Sequence, residues 1–367
     1  MKYYLIAGEA SGDLHGSNLI KHLKLRDSNG TYRAWGGDKM EAVGAVIVQH
    51  FRNLAFMGFA EVLRNIRKII GFLSLCKKDI LDFKPDVLIL IDYPGFNLRI
   101  AKWAKKQHIK VVYYITPQIW AWHKSRVHDL GKNTDLLLVI LPFEPAFFNK
   151  YGYKSIYVGH PLLDAIADFH PDDSIFNQFD HNKPVLSILP GSRKQEILTM
   201  LPTMLEACTG LPYQLAIAGA PAIDDILYQN FIDKYAHLPK PKIIRNQTYS
   251  LLSKSKFALV SSGTATLETA LFEVPQIVCY KGSIISFQIA KRLIDLKFIS
   301  LVNLISEKEV VRELIQNDLT AENIRRELFN LESNCETIKS DYRILRKLLG
   351  NEGASSRAAE EIQKLLQ

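Results

Sequence analysis

One loop that follows an apolar, strand-like run has residues suited to binding a phosphate. In LPGSRKQE (189–196), Gly191 and Ser192 precede a helical pattern and Arg193 stands at its entrance. The N–H groups and dipole at the start of a helix attract anions, and a guanidinium adds charged donors. The GxxxxGK[ST] pattern of a P-loop is absent. We favour pyrophosphate binding at this loop over a plain turn.

A second loop, SSGTATLE (261–268), repeats this arrangement in the same half of the chain. Ser262, Gly263 and Thr264 lead from another apolar run into another helical pattern. Glu268 follows one helical turn after Thr264, where a carboxylate can hold the two hydroxyls of a ribose. The alternative role of this carboxylate is a favourable charge near the helix start. Together, the two loops indicate a nucleoside diphosphate site.

Asp92 is the candidate for acid–base chemistry. It follows VLILI (87–91), an apolar run typical of a central strand. Partial burial at the carboxyl end of such a strand raises the pKa of a carboxylate, which suits a general base. By position alone, a turn or capping role beside Pro94 is the commoner outcome. The residue type and its place therefore leave both roles open.

The loop GEASGD (8–13) follows the first strand-like run and precedes a helical pattern. Its glycines and small residues let a ligand approach the backbone at a helix start. The loop is not the GxGxxG fingerprint of a dinucleotide fold. A tight turn with Ser11 or Asp13 as the helix cap is an equally favoured alternative.

Two tryptophans and a histidine are further candidates for ligand contact. Trp120 and Trp122 stand in YYITPQIWAWHKSR (113–126), where aromatic rings and cations together can hold a sugar or a phosphate. We expect one of the two rings to be a packing residue instead. His160, in GHPLLD (159–164), can contact a ligand, but a lone histidine is more often buried and structurally bonded.

Strands and helices must position these loops. Short apolar runs alternate with helical patterns, which predicts an α/β fold of doubly wound parallel sheets. A polar break at Asp164–Asn182 divides the chain into domains 1–165 and 166–340, with a helical tail at 341–367. No strand is predicted beyond Glu307. In this architecture, ligands bind beyond the carboxyl ends of the strands, in a cleft between the domains.

The composition excludes several classes of protein. The chain has 367 residues, of which 47% are hydrophobic and 23% charged, so it is neither disordered, collagen-like nor a coiled coil. Its four cysteines are scattered, no apolar run reaches the ~18 residues of a membrane span, and the start lacks a signal-peptide pattern. DxD, HExxH and GxSxG are absent. We therefore expect no metal site and no serine hydrolase.

The net charge of +8 is concentrated in one region. Residues 61–132 contain 14 basic and 6 acidic side chains, which accounts for the whole excess (14 − 6 = 8). A localised basic surface suits an anionic partner such as nucleic acid, anionic lipid or a phosphorylated substrate. A solvated face without a partner is an equally good explanation from composition alone.

Eight short motifs carry a resemblance to a known family. GEASGD, IDYPGFN, WAW, LPFE, GHP, LPGSR, SGTATLE and a late NL occur in that order. In this order they resemble the lipid-A-disaccharide synthases, inverting glycosyltransferases of the GT-B type. Each motif is weak alone, but the ordered set is specific and covers nearly the whole chain. The resemblance implies two Rossmann-like domains facing a cleft, with a tail that packs on the N-terminal domain or on a partner subunit.

The resemblance also implies a reaction. The C-terminal domain would bind UDP-2,3-diacylglucosamine, and the N-terminal domain would bind the acceptor, 2,3-diacylglucosamine 1-phosphate. The products would be the β-1,6-linked disaccharide 1-phosphate of lipid A and UDP, formed without metal or other cofactor. Asp92 would deprotonate the acceptor 6-hydroxyl.

Further site residues are carried over by position. The implied UDP contacts are Gly191, Ser192, Arg193, Ser262, Gly263, Thr264, Glu268 and Asn303. The implied acceptor or cleft contacts are Gly8, Glu9, Ser11, Gly12, Asp13, Asn97, Trp120, Trp122 and His160. Gly95 stands where the family often has a second acidic residue, which puts more weight on Asp92. TPQIWAW replaces the commoner SPSVWAW, and LVNLI replaces LPNLL.

A basic and apolar stretch is the candidate membrane surface. Asn53–Leu75 mixes large apolar residues with cations, as in helices that lie in an anionic bilayer interface. Periodicity alone favours an ordinary core helix, whereas the family's acylated substrates favour lipid contact. The candidate contacts are Phe56, Met57, Phe59, Leu63, Ile66, Arg67, Ile69, Ile70 and Phe72. We expect a Gram-negative cytoplasmic protein that binds the inner face of the cytoplasmic membrane; a homodimer stays open.

Two alternatives belong to other functional classes. The first is an epimerase of UDP-N-acetylglucosamine on the same two-domain fold, which would need no acceptor. The second, more remote, is a basic nucleic-acid-binding protein, which draws only on the charge of residues 61–132. No RRM, helix-turn-helix or zinc-finger pattern supports the second alternative, and we expect no nucleic-acid partner.

Overall fold

The protein forms two compact units. The computed structural model describes residues 1–54, 66–122, 126–221, 223–235, 240–282 and 297–367. Unit 1 comprises Met1–Asp164 together with Asn351–Gln367, and unit 2 comprises Ala165–Gly350. Each unit contains one wholly parallel sheet with helices between its strands, as the alternation of apolar runs and helical patterns predicts.

Seven parallel strands form the sheet of unit 1. They are β1 (Lys2–Ala7), β2 (Thr31–Gly36), β3 (Val46–His50), β4 (Val87–Ile91), β5 (Lys110–Tyr114), β6 (Leu136–Val139) and β7 (Ile156–Tyr157). Their order is β3-β2-β1-β4-β5-β6-β7. In the register of the central pair, Ala7 of β1 lies opposite Ile91 of β4, so the loops after these strands begin side by side.

Helices connect these strands. They are α1 (Ala10–Arg26), α2 (Asp38–Ala42), α3 (Ile66–Phe83), α4 (Pro94–Lys106), α5 (Ile119–Trp122), α6 (Arg126–Lys132) and α7 (Glu144–Lys150). Helix α8 (Pro161–Ala167) follows β7 and continues into the first residues of unit 2. All five residues of β4 are completely buried, because helices cover both faces of the sheet. One face packs against Leu19 and Leu23 of α1, and the other against Ile80 of α3 and Ile100 of α4.

Six parallel strands form the sheet of unit 2. They are β8 (Val185–Leu189), β9 (Gln214–Gly219), β10 (Lys242–Arg245), β11 (Ser255–Ser261), β12 (Gln276–Tyr280) and β13 (Arg312–Ile315), in the order β10-β9-β8-β11-β12-β13. Within the described residues of unit 2, the α-helices are α9 (Lys194–Ala207), α10 (Asp225–Ile232), α11 (Thr248–Ser253), α12 (Thr264–Leu271), α13 (Leu301–Ser306) and α14 (Ala321–Leu348). Strand β13 contradicts the expectation of no strand beyond Glu307. It lies at the sheet edge, where charged residues such as Arg312 are tolerated and no apolar run forms.

The last helix, α15 (Ala354–Leu366), belongs to unit 1. The Asp164 carboxylate accepts hydrogen bonds from the backbone N–H groups of Gly353 and Ser355, at 2.6 and 2.9 Å. These bonds satisfy donors that the start of a helix leaves free. The expected tail at 341–367 is therefore divided, because the long helix α14 stays in unit 2 until Leu348 and only the segment after Gly350 joins unit 1.

Candidate active site

Each sheet has one point where the strand order reverses. In unit 1 this point lies between β1 and β4, and in unit 2 it lies between β8 and β11. Ligands of open α/β sheets bind at such points, outside the carboxyl ends of the strands. GEASGD (8–13) follows β1 and Asp92 follows β4, so both flank the point in unit 1. The two predicted phosphate loops flank the corresponding point in unit 2.

Asp92 and Tyr93 form a strained turn between β4 and α4. Their φ angles are 45° and 50°, both in the left-handed region. For residues with a side chain this conformation costs about 1–2 kcal/mol each, so other contacts must hold it. The Asp92 N–H points back to the carbonyls of Tyr114 and Ile115, at 3.3 and 3.2 Å. Pro94 then begins the helix, where its fixed φ fits the first helical position.

Asn97 supports this turn from within the protein. Its side chain is completely buried, and Nδ2 donates to the Asp92 carbonyl at 2.8 Å. Weaker contacts from Nδ2 reach the carbonyls of Ile6 and Ile91, at 3.4 and 3.3 Å. Asn97, a predicted acceptor contact, thus directs its amide nitrogen to the ends of β1 and β4. Tyr113, which no sequence motif indicated, also donates its hydroxyl to the Asp92 carbonyl, at 2.6 Å.

Gly8 is required by the packing of the Asp92 turn. A Cβ atom at Gly8 would stand 2.4 Å from two ring atoms of Tyr93, so only glycine fits under this ring without displacing it. Glu9 and Ser11 are exposed beside it, whereas Gly12 is buried and a Cβ there would stand 2.9 Å from that of Ala7. The loops after β1 and β4 therefore form one packed surface.

Asp13 acts as a cap for a neighbouring helix. Its side chain is buried, with Oδ1 accepting from the N–H groups of Gly37 and Met40 at 2.7 and 3.1 Å. Oδ2 accepts from the N–H of Lys39 at 3.0 Å. These donors lie at the start of α2, where a carboxylate also interacts well with the helix dipole. The predicted role of Ser11 or Asp13 as the cap of the helix after GEASGD is wrong, because Glu9 is the N-cap of α1 and Asp13 lies inside that helix. Asp13 caps α2 instead.

A buried glutamate joins the loops after β5 and β6. Glu144, the last residue of LPFE, accepts from Thr116 Oγ1 at 3.0 Å and from the N–H groups of Ile140 and Leu141 at 3.1 and 2.8 Å. The hydrogen bonds lower the pKa of Glu144, but burial has the larger effect and raises this pKa to about 7. The carboxyl group therefore holds two loops together at the carboxyl edge of the sheet.

Trp120 is the packing tryptophan. Its ring is buried and meets Phe143 edge to face, with ring centroids 4.9 Å apart. The expectation that one of the two tryptophans packs is met by this ring. The side chain of Trp122 lies outside the described residues, so its predicted ligand contact stays a prediction.

His160 lies in a buried polar cluster with His15 of α1. His160 is 2% exposed and His15 is 6% exposed. The Nδ1 atom of His160 accepts a hydrogen bond from the N–H of Leu162 at 3.2 Å. Burial lowers the pKa of His160 to about 3 and that of His15 to about 4. Both imidazoles are therefore neutral at physiological pH. This arrangement matches the structural alternative given for His160 more closely than an open ligand contact.

The LPGSR loop of unit 2 contains a resident carboxylate. Glu196 Oε2 accepts from the N–H groups of Ser192 and Arg193, at 3.1 and 3.2 Å. Gly191, with φ of 118°, leaves room for this carboxylate, since a Cβ there would stand 2.5 Å from Glu196 Oε2. The Arg193 side chain is 68% exposed. The guanidinium is thus the more accessible anion-binding group of this loop.

The second phosphate loop leads directly into helix α12. Gly263 has a φ of 146°, and Thr264 is the first helical residue, with both residues exposed to solvent. The Ser262 N–H donates to the carbonyl of Cys279 at 3.2 Å. The loop therefore presents the start of a helix to solvent at the carboxyl edge of the sheet, as a phosphate site requires.

Glu268 lies further along α12 against a tyrosine. Its Oε1 accepts from the Tyr249 hydroxyl at 2.9 Å, and burial raises the pKa of the carboxyl group. Tyr249 packs in turn against the rings of Phe169 and Phe272. The tyrosine holds one carboxylate oxygen in place, an arrangement that sequence patterns gave no reason to expect.

Asn303 is completely buried and internally bonded. Its Oδ1 accepts from the N–H groups of Val310 and Val311 at 2.8 and 3.0 Å, and Nδ2 donates to the Val311 carbonyl and Glu313 Oε1 at 2.8 and 2.9 Å. The side chain thus fastens the segment before β13 to α13. Its predicted UDP contact has no support from this hydrogen-bond pattern, because both polar atoms already have protein partners.

The predicted membrane residues divide into three groups. Phe56, Met57, Phe59 and Leu63, together with the side chains of Ile66 and Arg67, lie outside the described residues. Ile69 is 6% exposed and belongs to the core, so it does not face solvent as a membrane contact should. Phe72 is partly buried and packs edge to face on Trp35. Ile70 is 57% exposed. Helix α3 therefore has one core face and one exposed face carrying apolar residues, including Leu75 and Leu81.

In the part of the chain that the structure describes, no three histidine, cysteine or acidic side chains cluster as metal ligands would. Among the described helices, none combines the length and apolar character needed to cross a bilayer.

The roles of Glu196 and Tyr113 were not predicted from the sequence, and only one of the two was predictable. Glu196 follows Arg193 by three residues, the spacing of a helix capping box, so its role was accessible from the sequence. Tyr113 was not, because its contact to Asp92 depends on the pairing of β4 with β5. Both residues act on the backbone of a predicted loop.

The fold is that of GT-B glycosyltransferases and related UDP-sugar enzymes. The S. aureus MnaA–UDP co-structure aligns with a TM-score of 0.73 at 13% identity, covering 100% of this chain and 96% of that chain. CalG4, the calicheamicin glycosyltransferase, aligns with a TM-score of 0.61 at 17% identity, covering 99% and 98%. At such identities the likeness concerns the fold alone.

Sequence similarity identifies the family. Residues 3–365 match the family described as Lipid-A-disaccharide synthetase. The lipid-A-disaccharide synthase of Syntrophus aciditrophicus is 38% identical over 365 residues, covering 97% of this chain and 95% of the relative. That of Coxiella burnetii is 37% identical over 369 residues, covering 99% and 98%. The chain belongs to the lipid-A-disaccharide synthase family and is a glycosyltransferase of lipid A biosynthesis.

Proposed function

We propose that this enzyme transfers 2,3-diacylglucosamine from its UDP donor to the 6-hydroxyl of 2,3-diacylglucosamine 1-phosphate. The products are the β-1,6-linked disaccharide 1-phosphate and UDP. The observation that carries this proposal is the place of Asp92, whose carboxylate belongs to a rigid turn at the switch point of unit 1. Membership of the family supports the substrate class.

In this reaction Asp92 is the general base. As the acceptor oxygen attacks C1 of the donor sugar, the carboxylate takes the proton of the 6-hydroxyl. The bond from C1 to the UDP oxygen breaks, and UDP leaves with the bonding electrons. Attack from the side opposite UDP inverts the anomeric centre, so an α-linked donor gives a β-linked product. The packed turn supports this role because it fixes the base before the acceptor binds.

Unit 2 binds the UDP part of the donor in this proposal. The exposed Arg193 guanidinium and the helix start at Gly263 and Thr264 stabilise the charge that develops on the leaving diphosphate. Glu268 accepts hydrogen bonds from the ribose hydroxyls, with Tyr249 holding its other side in position. These groups supply the charge stabilisation that metal-dependent transferases obtain from a cation, so we propose that turnover needs no metal.

We also propose that the enzyme binds the inner face of the cytoplasmic membrane, where acylated substrates reside. Helix α3 supports this proposal, since Ile70, Leu75 and Leu81 are exposed beside lysines such as Lys78. Apolar side chains and cations on one exposed helix suit an anionic bilayer interface. Among the predicted contacts that the structure describes, Ile70 is the exposed one and is retained, while those outside the described residues stay predictions.

The first experiment measures UDP release from both lipids with Asp92→Asn. Asparagine keeps the size of the side chain and tolerates the left-handed backbone, but it is not a base. We expect turnover to fall about 10²–10⁴-fold while the affinity for UDP, measured calorimetrically, stays unchanged. Asp82→Asn, an exposed aspartate at the end of α3, is the matched control and should retain full activity.

The same assay separates this proposal from its alternatives. Turnover that survives Asp92→Asn would exclude Asp92 as the base, and loss of UDP binding in that variant would place it in the nucleotide site. UDP release that stops on addition of EDTA would contradict metal independence. Isomerisation of UDP-N-acetylglucosamine in the absence of any acceptor would instead support the epimerase alternative.

A further inference from the structure

The carbonyl oxygen of Asp92 accepts two hydrogen bonds from buried side chains. Tyr113 Oη donates at 2.6 Å and Asn97 Nδ2 at 2.8 Å, and both side chains are completely buried. One donor suffices to satisfy a buried carbonyl. Two donors that converge on the same oxygen also fix its direction, and with it the peptide plane that follows Asp92.

The two donors are held by the sheet itself. Tyr113 lies in β5 next to β4, and its ring packs in the core on the α4 side of the sheet. The Asn97 amide also reaches the carbonyls of Ile6 and Ile91, at the ends of the two strands that flank the switch point. The donors therefore connect the Asp92 turn to three neighbouring strands of unit 1.

The turn needs such support because its backbone is unfavourable. Asp92 and Tyr93 both have positive φ, and neither is a glycine. Conformations of this kind persist only when the surrounding structure determines them. Burial also raises the pKa of the Tyr113 hydroxyl, so this group stays protonated and remains a donor over the working range of pH.

We propose that Tyr113 and Asn97 are positioning residues that hold the Asp92 turn in its left-handed conformation and so direct its carboxylate at the acceptor hydroxyl. The inference rests on the proposed function, in which Asp92 is the base. Neither residue contacts the reacting atoms; both act through the Asp92 carbonyl. Their effect therefore falls on the rate of the chemical step and not on the binding of UDP.

The test compares two tyrosines that are neighbours in β5. Tyr113→Phe removes the hydroxyl that donates to Asp92. Tyr114→Phe removes the same atom from an equally buried ring that packs on the opposite face of the sheet, on the α1 side. Both changes conserve shape, so each variant should fold. The readouts are kcat, the KM of each substrate, the affinity for UDP and the thermal transition of tryptophan fluorescence.

We expect kcat of Tyr113→Phe to fall about 10- to 100-fold, the range produced by small misplacements of a catalytic group. Its KM values and UDP affinity should stay within about twofold of the parent, and Tyr114→Phe should keep its kcat. Equal losses in both variants would overturn the proposal, as would a Tyr113→Phe variant whose tryptophan transition is no longer cooperative, because the hydroxyl would then serve stability alone.

A double-mutant cycle separates this proposal from the proposed function. If Tyr113 acts through Asp92, Tyr113→Phe should cost nothing further when added to Asp92→Asn. Additive losses would overturn the positioning role while leaving Asp92 as the base. Full activity of Asp92→Asn alone would refute the proposed function itself, and with it the basis of this inference.

Discussion

His160 should make the stability of unit 1 sensitive to mild acid. Burial lowers its pKa to about 3 in the folded protein, against an ordinary value of 6.5 that the unfolded chain regains. Below pH 6.5 the unfolded state therefore binds a proton that the folded state cannot accept. The stabilising contribution is complete above pH 6.5 and is lost progressively as the pH falls from 6.5 towards 3.

The size of the stability loss follows from the pH range between the folded and unfolded pKa values of His160. Each pH unit inside it changes the free energy of unfolding by about 1.4 kcal/mol. Between pH 7.5 and pH 5 the loss due to His160 is therefore about 2 kcal/mol. His160→Asn should abolish this loss, because its Oδ1 can replace Nδ1 as the acceptor for the Leu162 N–H but does not titrate.

Tryptophan fluorescence measures this effect in the correct unit. All four tryptophans lie between Trp35 and Trp122, within unit 1, so urea unfolding followed by their emission reports on that unit. We expect the parent to lose about 2 kcal/mol more than His160→Asn between pH 7.5 and pH 5. His108→Asn, at an exposed histidine with positive φ, is the control and should follow the parent. Parallel losses in the parent and His160→Asn would refute the reasoning.

Two further predictions concern the loops of unit 1. Burial raises the pKa of Glu144 to about 7 from 4.5, so its contribution is present at low pH and is lost as the pH rises through this window. Relative to the parent, Glu144→Gln should therefore gain about 2 kcal/mol of stability between pH 5 and pH 7.5, because the opposite contribution of His160 is the same in both proteins. An equal change in unfolding free energy in Glu144→Gln and the parent over this range would contradict this. Gly8→Ala should displace the Tyr93 ring, which its Cβ would approach to 2.4 Å, and so reduce UDP release without changing UDP affinity. Normal turnover in that variant would show that the Asp92 turn tolerates a moved ring.

The central strands were predictable because burial on both faces leaves an unmistakable pattern. β4 is VLILI and is completely buried, so its apolar run and its end at Ile91 both appear in the sequence. The loops that follow such strands are the natural positions for ligand contacts. Asp92, Arg193 and Gly263 were found in this way, without knowledge of the strand order.

Contacts between loops were much harder to predict, because they depend on strand pairing. Asp13 caps α2 by accepting hydrogen bonds from the N–H groups of Gly37 and Met40, which come after β2 in the chain. Nothing in the local sequence of GEASGD distinguishes this role from capping its own helix. Similarly, Asn303 is a polar residue in a motif, yet its side chain bonds to Val310 and Val311, just before β13, and to Glu313 within it.

The membrane surface was hard to predict because the sequence of α3 does not show which side of the helix faces the core. Ile69 and Ile70 are adjacent and chemically identical, but one is 6% exposed and the other 57%. Neighbouring residues on a helix are separated by about 100°, so the direction of the core decides which of them faces solvent. That direction is set by residues of other elements, such as Trp35, whose ring meets Phe72 of α3, and the sequence of α3 alone does not reveal it.

The attachment of α15 to unit 1 has a consequence for synthesis on the ribosome. Unit 2 is continuous, so its whole sequence has been translated once Gly350 is added. Unit 1 must wait for residues 351–367, since Ala358 and Ile362 of α15 are completely buried in its core against α1. The later-translated unit can therefore finish folding first, in contrast to the usual N-terminal order. Until then, we expect the nascent N-terminal unit to expose the apolar surface that α15 covers in the folded protein.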